Sequence, residues 1–347
     1  MTLAVVILAA GQGTRMKSKK QKILHDVGGK PMVRHVFEAA AAVADVPPVL
    51  VVGPREEGVQ ALFGDEAGYV VQPQQLGTGH ATMMAEPLLQ GKAEQVIVTY
   101  GDMPLLRADT LARLAAAQRE AGALVAMLSV SGDPDSSFGR VARDENGRVA
   151  EIVEVAEAQQ RPNTGELLAI RELNAGVYCF DGAWLWRTID SLPLRQARNG
   201  EEYYLTDMIS LAVAQGGLVE ALAVEDADEC LGAGTRQEMV AVERAFRRRA
   251  NQRWMAYGVT LVDPDSVYID QDVTIGRDTI IWPNTYVQGN SHIGEDCVIG
   301  PNTIIRSAQI GAACRIEQAV VENISLAEGT DVAPFTVMKG STSGRQQ

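Results

Sequence analysis

The chain has 347 residues, 46% apolar and 22% charged, a globular balance that suits about two domains and excludes wholesale disorder. Thirty-one Lys and Arg against 44 Asp and Glu leave a net charge of −13, which argues against a nucleic-acid partner; a local cluster of donors still suits a small anion. No apolar run approaches the roughly 20 residues of a membrane span, and four cysteines without CxxC spacing form neither a zinc motif nor a disulfide framework, so a cytoplasmic protein is expected.

Met1–Leu8 lacks a basic lead and reads as a first strand rather than a signal peptide. Leu3–Ala9 is continuously apolar, as a strand buried on both faces requires, and Val33–Val43 follows with helical spacing. Val49–Val52 and Val96–Thr99 read as strands, Leu111–Ala121 as an Ala-rich helix and Leu124–Val130 as another strand. Such alternation predicts a parallel sheet covered by helices on both faces. Asn146-Gly147, flanked by Arg140–Arg143 and Val149–Val153, predicts an antiparallel hairpin beside it, making the sheet mixed. Arg236–Tyr257 reads as a connecting helix with Met239, Val242, Phe246 and Trp254 in stripe register. Its Arg247-Arg248-Arg249 run has two readings, a solvated face or a phosphate or partner site.

A six-residue period then begins, at Ile269, Ile275, Ile281, Val287, Ile293, Ile299 and Ile305, with Gly after Ile275, Ile293 and Ile299. This is the hexapeptide signature of a parallel β-helix, in which residues about 18 apart stack. The glycines are expected at tight corners of positive φ. The period slips by one at Ile310 and recovers at Ile316, which stacks Cys297 and Cys314 as reduced thiols.

Three loops carry polar chemistry. In Leu8-Ala9-Ala10-Gly11-Gln12-Gly13-Thr14-Arg15, continuing to Lys22, a buried strand runs into glycines that bring backbone N–H groups close to an anion, and two cations follow. Met16 replaces the third Gly of a dinucleotide fingerprint and Pro31 follows Gly29-Lys30, so neither common phosphate loop fits. Gln72 through Leu76-Gly77-Thr78-Gly79-His80 offers glycines for a flat ligand and an amide for a base edge. Tyr100-Gly101-Asp102 ends a buried strand, where ligands of open α/β sheets collect, and its carboxylate suits Mg²⁺ beside phosphates. Taken singly, each loop also reads as an ordinary turn or cap.

Taken together, these loops resemble the N-acetylglucosamine-1-phosphate uridyltransferases, members of the sugar-1-phosphate nucleotidyltransferases. The likeness continues through Phe138-Gly139-Arg140, Ile152-Val153-Glu154, Glu172–Tyr178 and Gly200–Asp207. It implies an α/β Rossmann-like mixed-sheet nucleotidyltransferase domain over 1–235, a linker helix over 236–258, a short left-handed parallel β-helix over 259–340 and a disordered tail over 341–347. Leu8, Ala9, Ala10 and Gly11 would then line the nucleotide pocket, Arg15 and Lys22 hold phosphates, and Gln72, Gly77 and Thr78 read uracil and ribose. Tyr100 and Gly101 would lie along the nucleotide sugar, Asp102 would bind Mg²⁺, and Gly139, Glu154 and Asn174 would recognise N-acetylglucosamine. Catalysis would rest on Arg15, Lys22 and Asp102, joining UTP to N-acetylglucosamine 1-phosphate with release of pyrophosphate.

Two departures stand out. The family's second metal ligand is an Asn in Gly-Val-Asn-x-Arg; here the stretch is Gly232-Ala233-Gly234-Thr235-Arg236, leaving the metal to Asp102, phosphates and water, or to an acid such as Asp226 or Asp228. Bifunctional members also carry a longer β-helix with an acetyltransferase site, whereas this chain holds about four coils, with Lys339 where an Arg is usual. No acetyltransferase activity is therefore expected, nor any nucleic-acid or membrane partner, and a homotrimer through the β-helix is. A glucose-1-phosphate uridylyl- or thymidylyltransferase and a non-catalytic nucleotide-sugar-binding subunit stay open as alternatives.

Overall fold

The computed structural model describes residues 2–54, 57–133, 136–197 and 200–340; the tail expected over 341–347 lies outside them. They form two compact units, Met1–His25 with Met32–Glu238, and Asp26–Pro31 with Met239–Gln347.

The first unit is built on a mixed sheet. Its strands run in the order Val219–Ala223, Val125–Ser131, Glu172–Asp181, Gln95–Tyr100, Leu3–Leu8, Val49–Val52, Gly68–Val71. Leu3–Leu8 pairs in parallel with both neighbours, aligning Leu8 with Tyr100 and Val51. Because side chains alternate across a strand, Val5 and Ile7 pack beneath Val33, Val36, Phe37 and Leu111, while Ala4 and Val6 pack against Trp184, Leu185, Met208 and Ile209 on the other face. Both faces are thus covered, which explains the unbroken apolar run. The Arg140–Arg143/Val149–Val153 hairpin forms as expected. Glu172–Asp181 runs antiparallel between two strands of the otherwise parallel set, a placement that local periodicity does not encode.

The second unit combines the helix from Met239 onward, the hairpin Asp26–Pro31 and the hexapeptide coils. Coils stack through three parallel sheets, of five, five and four strands, consistent with a left-handed hexapeptide β-helix. Early rungs pair residues 18 apart, as in Val287↔Ile305, but the spacing shortens to 17 at Ile299↔Ile316 and to 16 at Ile316↔Val332. The recovery expected at Ile316 is therefore temporary. Cys297 and Cys314 are both buried free thiols; Cys297 Sγ donates to Gly311 O and Cys314 Sγ to Ala327 O, each at 3.2 Å.

The corners correct one expectation. Positive φ falls mainly to Asp278, Asn284, Asp296, Asn302 and other non-glycine residues, as well as Gly300. Gly276 and Gly294 are needed for a different reason: a Cβ there would lie 2.5–2.7 Å from the backbone of the next coil.

Candidate functional site

Leu3–Leu8 and Gln95–Tyr100 are neighbours in the middle of the sheet, and their carboxyl ends open into the Gly11 and Asp102 loops, where the strand order reverses. Leu8 O accepts from Gly101 N–H (3.0 Å), Ala9 N–H donates to Val51 O (2.8 Å) and Ala10 O accepts from Gln75 Nε2 (2.5 Å). These bonds spend groups that the sequence reading assigned to a ligand. Among the described residues, no hydrogen bond engages the N–H groups of Ala10, Gly11, Gln12 or Gly13. Four consecutive N–H groups leading into the left-handed Gly13 (φ 62°) thus lack a protein acceptor, and a left-handed residue in such a turn is the conformation from which anion nests are built. A Cβ on Gly11 would meet no protein atom within 4 Å, whereas one on Gly13 would strike Lys22 Cβ at 2.5 Å. Gly11 keeps this turn open, and Gly13 lets Lys22 close against it.

Lys22 Nζ donates to Asp102 Oδ2 at 2.5 Å, each side chain about 18% exposed. The pair joins the two loops. Among the described residues, no group of three or more His, Cys, Asp or Glu could hold a metal. A carboxylate alone still fits a hard divalent cation that keeps water and phosphate oxygens as its other ligands. A Cβ on Gly232 would touch Asp102, 3.7 Å from its backbone O and 3.8 Å from Oδ2, so the glycine keeps that side of the carboxylate uncovered. Gly234 offers no ligand atom, and the alternative Asp226 carboxylate is tied to Arg107 Nη2 at 2.8 Å.

The Gln72 loop differs from expectation. Gln72 is buried and its Nε2 donates to Gly77 O (3.0 Å) and meets His80 Nδ1 at 3.1 Å, so only its carbonyl oxygen is left for a base. A Cβ on Gly77 would lie 2.6 Å from Tyr203 O, so this glycine admits the protein's own chain rather than a ligand. Thr78 Oγ1 accepts from Leu205 N–H, and the Thr78 hydroxyl lowers the Tyr100 pKa slightly against the larger effects that raise it.

Tyr100 links this loop to the remaining candidates. Burial, then the carboxylates of Glu154 and Asp102, push its hydroxyl well above the usual range. Burial also raises Glu154, reinforced by Glu157 and Asp207 and opposed by Arg140. Gly139 O accepts from Asn174 N–H at 2.8 Å, and a Cβ on Gly139 would sit 3.3 Å from Glu154 Oε1. The structure thus brings Gly139, Glu154 and Asn174 together. Asn174 Nδ2 lies 2.7 Å and Oδ1 3.0 Å from the Tyr178 hydroxyl, and Oδ1 also accepts from Gly176 N–H (3.0 Å), so the amide keeps chiefly its second N–H for a ligand. Tyr178 and Gln75 were missed by the sequence reading. A buried Tyr in an apolar strand, whose hydroxyl must find a partner, was the available signal for the first; nothing local marked Gln75.

Residues 5–204 match the MobA-like NTP transferase domain, and 272–307 match the bacterial transferase hexapeptide repeat. The chain is 40% identical over 337 residues to the bifunctional protein GlmU of Heliobacterium modesticaldum, covering 97% of this chain and 72% of that protein. It is 42% identical to that of Pelobacter propionicus (98% and 73%) and 41% identical to that of Exiguobacterium sibiricum (96% and 73%). The chain belongs to the GlmU family. Its enzymatic class is accordingly that of a sugar-1-phosphate nucleotidyltransferase. The transferase match falls on the residues of the mixed sheet and its loops, and the repeat match falls on the coils.

Proposed function

We propose that this GlmU-family chain forms UDP-N-acetylglucosamine and pyrophosphate from UTP and N-acetylglucosamine 1-phosphate, within 1–235. The observation that carries the reading is the run of unengaged N–H groups at Ala10–Gly13, with open space at Gly11, Lys22 packed against Gly13 and paired with Asp102. Ala10–Gly13 N–H groups and Arg15 bind the β- and γ-phosphates, while Gln72 Oε1 accepts from the base. Glu154 and Asn174 take the hydroxyls and acetamido group of the sugar. The sugar phosphate is already ionised near neutral pH, so its oxygen attacks the α-phosphorus in line without a general base. Lys22 leaves Asp102 Oδ2 for an α-phosphoryl oxygen, neutralising charge as pyrophosphate departs. Mg²⁺, held by Asp102, supplies further charge neutralisation when bound.

The test is pyrophosphate release from UTP or dTTP with a panel of hexose 1-phosphates. UTP with N-acetylglucosamine 1-phosphate is expected to give the highest kcat/KM. Preference for glucose 1-phosphate or dTTP overturns the substrate assignment, and nucleotide-sugar binding without release at saturating Mg²⁺ overturns catalysis.

No acetyl transfer is assigned to the described coils: their histidine, His292, is exposed and its Nδ1 is 2.8 Å from Thr274 Oγ1, and Lys339 pairs with Glu322. We also propose a homotrimer through the β-helix. Supporting it, Tyr268, Tyr286, Ile304, Val320 and Val337 align in register as an outward apolar stripe, the two tyrosine rings stacked at 4.6 Å, whereas Thr274, His292, Gln309 and Ser325 line a polar face. No helix among the described residues is long and apolar enough to cross a membrane. Four free thiols support a cytoplasmic setting.

A further inference from the structure

The geometry points to Glu238 as a positioning residue for Arg15, acting across the space left by Gly234. This inference rests on the proposed reading of Arg15 as a triphosphate ligand. A Cβ built on Gly234 would lie 2.5 Å from Arg15 Nη2 and 3.2 Å from Arg15 Cζ, with Glu238 Oε2 3.0 Å away. The tip of the guanidinium therefore occupies the volume that any other residue at 234 would claim. A carboxylate borders the same small space. Among the described residues, Arg15 makes no hydrogen bond or ion pair, so its head stays available to an incoming anion.

Glu238 is itself fixed at two points. Its backbone N–H donates to Thr235 Oγ1 at 3.2 Å in the first turn of the helix Arg236–Tyr257, and its Oε2 accepts from Gly234 N–H at 2.7 Å. A Thr-x-x-Glu start thus sends its acidic side chain back over the preceding turn, in the manner of a capping box. The same turn reaches the metal-binding candidate: Ala233 N–H donates to Asp102 O at 3.2 Å. Glu238 and Arg15 form no ion pair, but they face one another across the Gly234 space; the attraction biases a long, otherwise mobile arginine toward that side while leaving its donors unspent, and less of its freedom remains to be lost when triphosphate arrives. Gly234 is then more than the loss of a side chain. It is the opening through which the turn receives Arg15.

The test is equilibrium binding of UTP in EDTA by calorimetry, which reads the protein's own contacts without metal or turnover. Glu238→Ala is expected to weaken UTP about threefold to tenfold, and Glu238→Gln less, since the amide oxygen still accepts from Gly234 N–H. Gly234→Ala is expected to weaken binding at least as much as Glu238→Ala, because its Cβ displaces the Arg15 tip. In an Arg15→Ala background, Glu238→Ala is expected to have no further effect on affinity. Additive losses in that double variant, or unchanged affinity in Gly234→Ala, would overturn the proposal. A Glu238→Ala protein that melts earlier yet binds UTP normally would likewise reduce Glu238 to a helix cap. If Arg15→Ala alone binds UTP like the parent, it is the underlying reading of Arg15 that fails.

Discussion

Lys22 and Asp102 hold each other at 2.5 Å, and each keeps the other from a buried position without countercharge. In turnover the lysine has to leave its partner for phosphate, so its loss strikes the transition state. Lys22→Ala is expected to lower kcat about a hundredfold or more, with circular dichroism unchanged. Glu154 gives a second prediction. Burial raises its pKa in the folded protein, so between the ordinary carboxylate range and that raised value the native state binds more protons than the unfolded chain. Stability therefore falls as pH rises through this window, and the cost is fully present above it. Glu154→Gln is expected to melt higher than the parent above the window and equally below it, while raising KM for the sugar phosphate about 10- to 100-fold. Thermal melts at several pH values and initial rates check both halves. At this scale the residue types were legible, but their commitments were not. Gln72, Ala10 and Asn174 spend part of their polar capacity on Gly77, Gln75, Tyr178 and Gly176, partners that only folding brings near.

Elements followed from period and punctuation where burial is simple. Val49–Val52, the Arg140–Arg143/Val149–Val153 hairpin and the helix Arg236–Tyr257 form where the pattern put them. Glu172–Asp181 shows the limit. Nearly all of it is buried, so it reads as a core strand of either direction, and its antiparallel entry is decided by which neighbours reach it. The β-helix shows another limit. Its phase was visible up to Ile305, but the shortened rungs beyond Ile316 depend on how successive corners close. Gly276 tests the packing directly. Gly276→Ala places a Cβ 2.5 Å from Glu295 N and is expected to destabilise the coils by roughly 1–3 kcal/mol, read as an earlier calorimetric transition. Nucleotidyl transfer at low temperature should be unchanged.

Over the whole molecule, the boundary between compact units is not a single cut in the chain. The hairpin Asp26–Pro31 leaves the phosphate-loop segment and packs with the C-terminal residues. Gly28 N–H donates to Glu243 Oε2 (3.0 Å), Gly28 O accepts from Gln271 N–H (2.8 Å) and Lys30 pairs with Asp272 (2.7 Å). The apolar stripe on the coils leads to a prediction about assembly. Tyr286→Glu with Val320→Glu puts two like charges on the stripe and is expected to convert a trimer to monomers in light scattering, with each coil still folded because both side chains point outward. A parent protein that is already monomeric at micromolar concentration rules out the assembly.

By itself, the sequence determined the alternation that builds the sheet, the period that winds the coils and the residue types suited to phosphate and sugar, because these depend on neighbours a few positions apart. Tertiary structure alone decided that Lys22 meets Asp102 across 80 residues, that Gly77 yields to Tyr203 and that Gly234 makes room for Arg15. Those are close contacts between remote segments, and no local pattern specifies which remote atom will fill a given space.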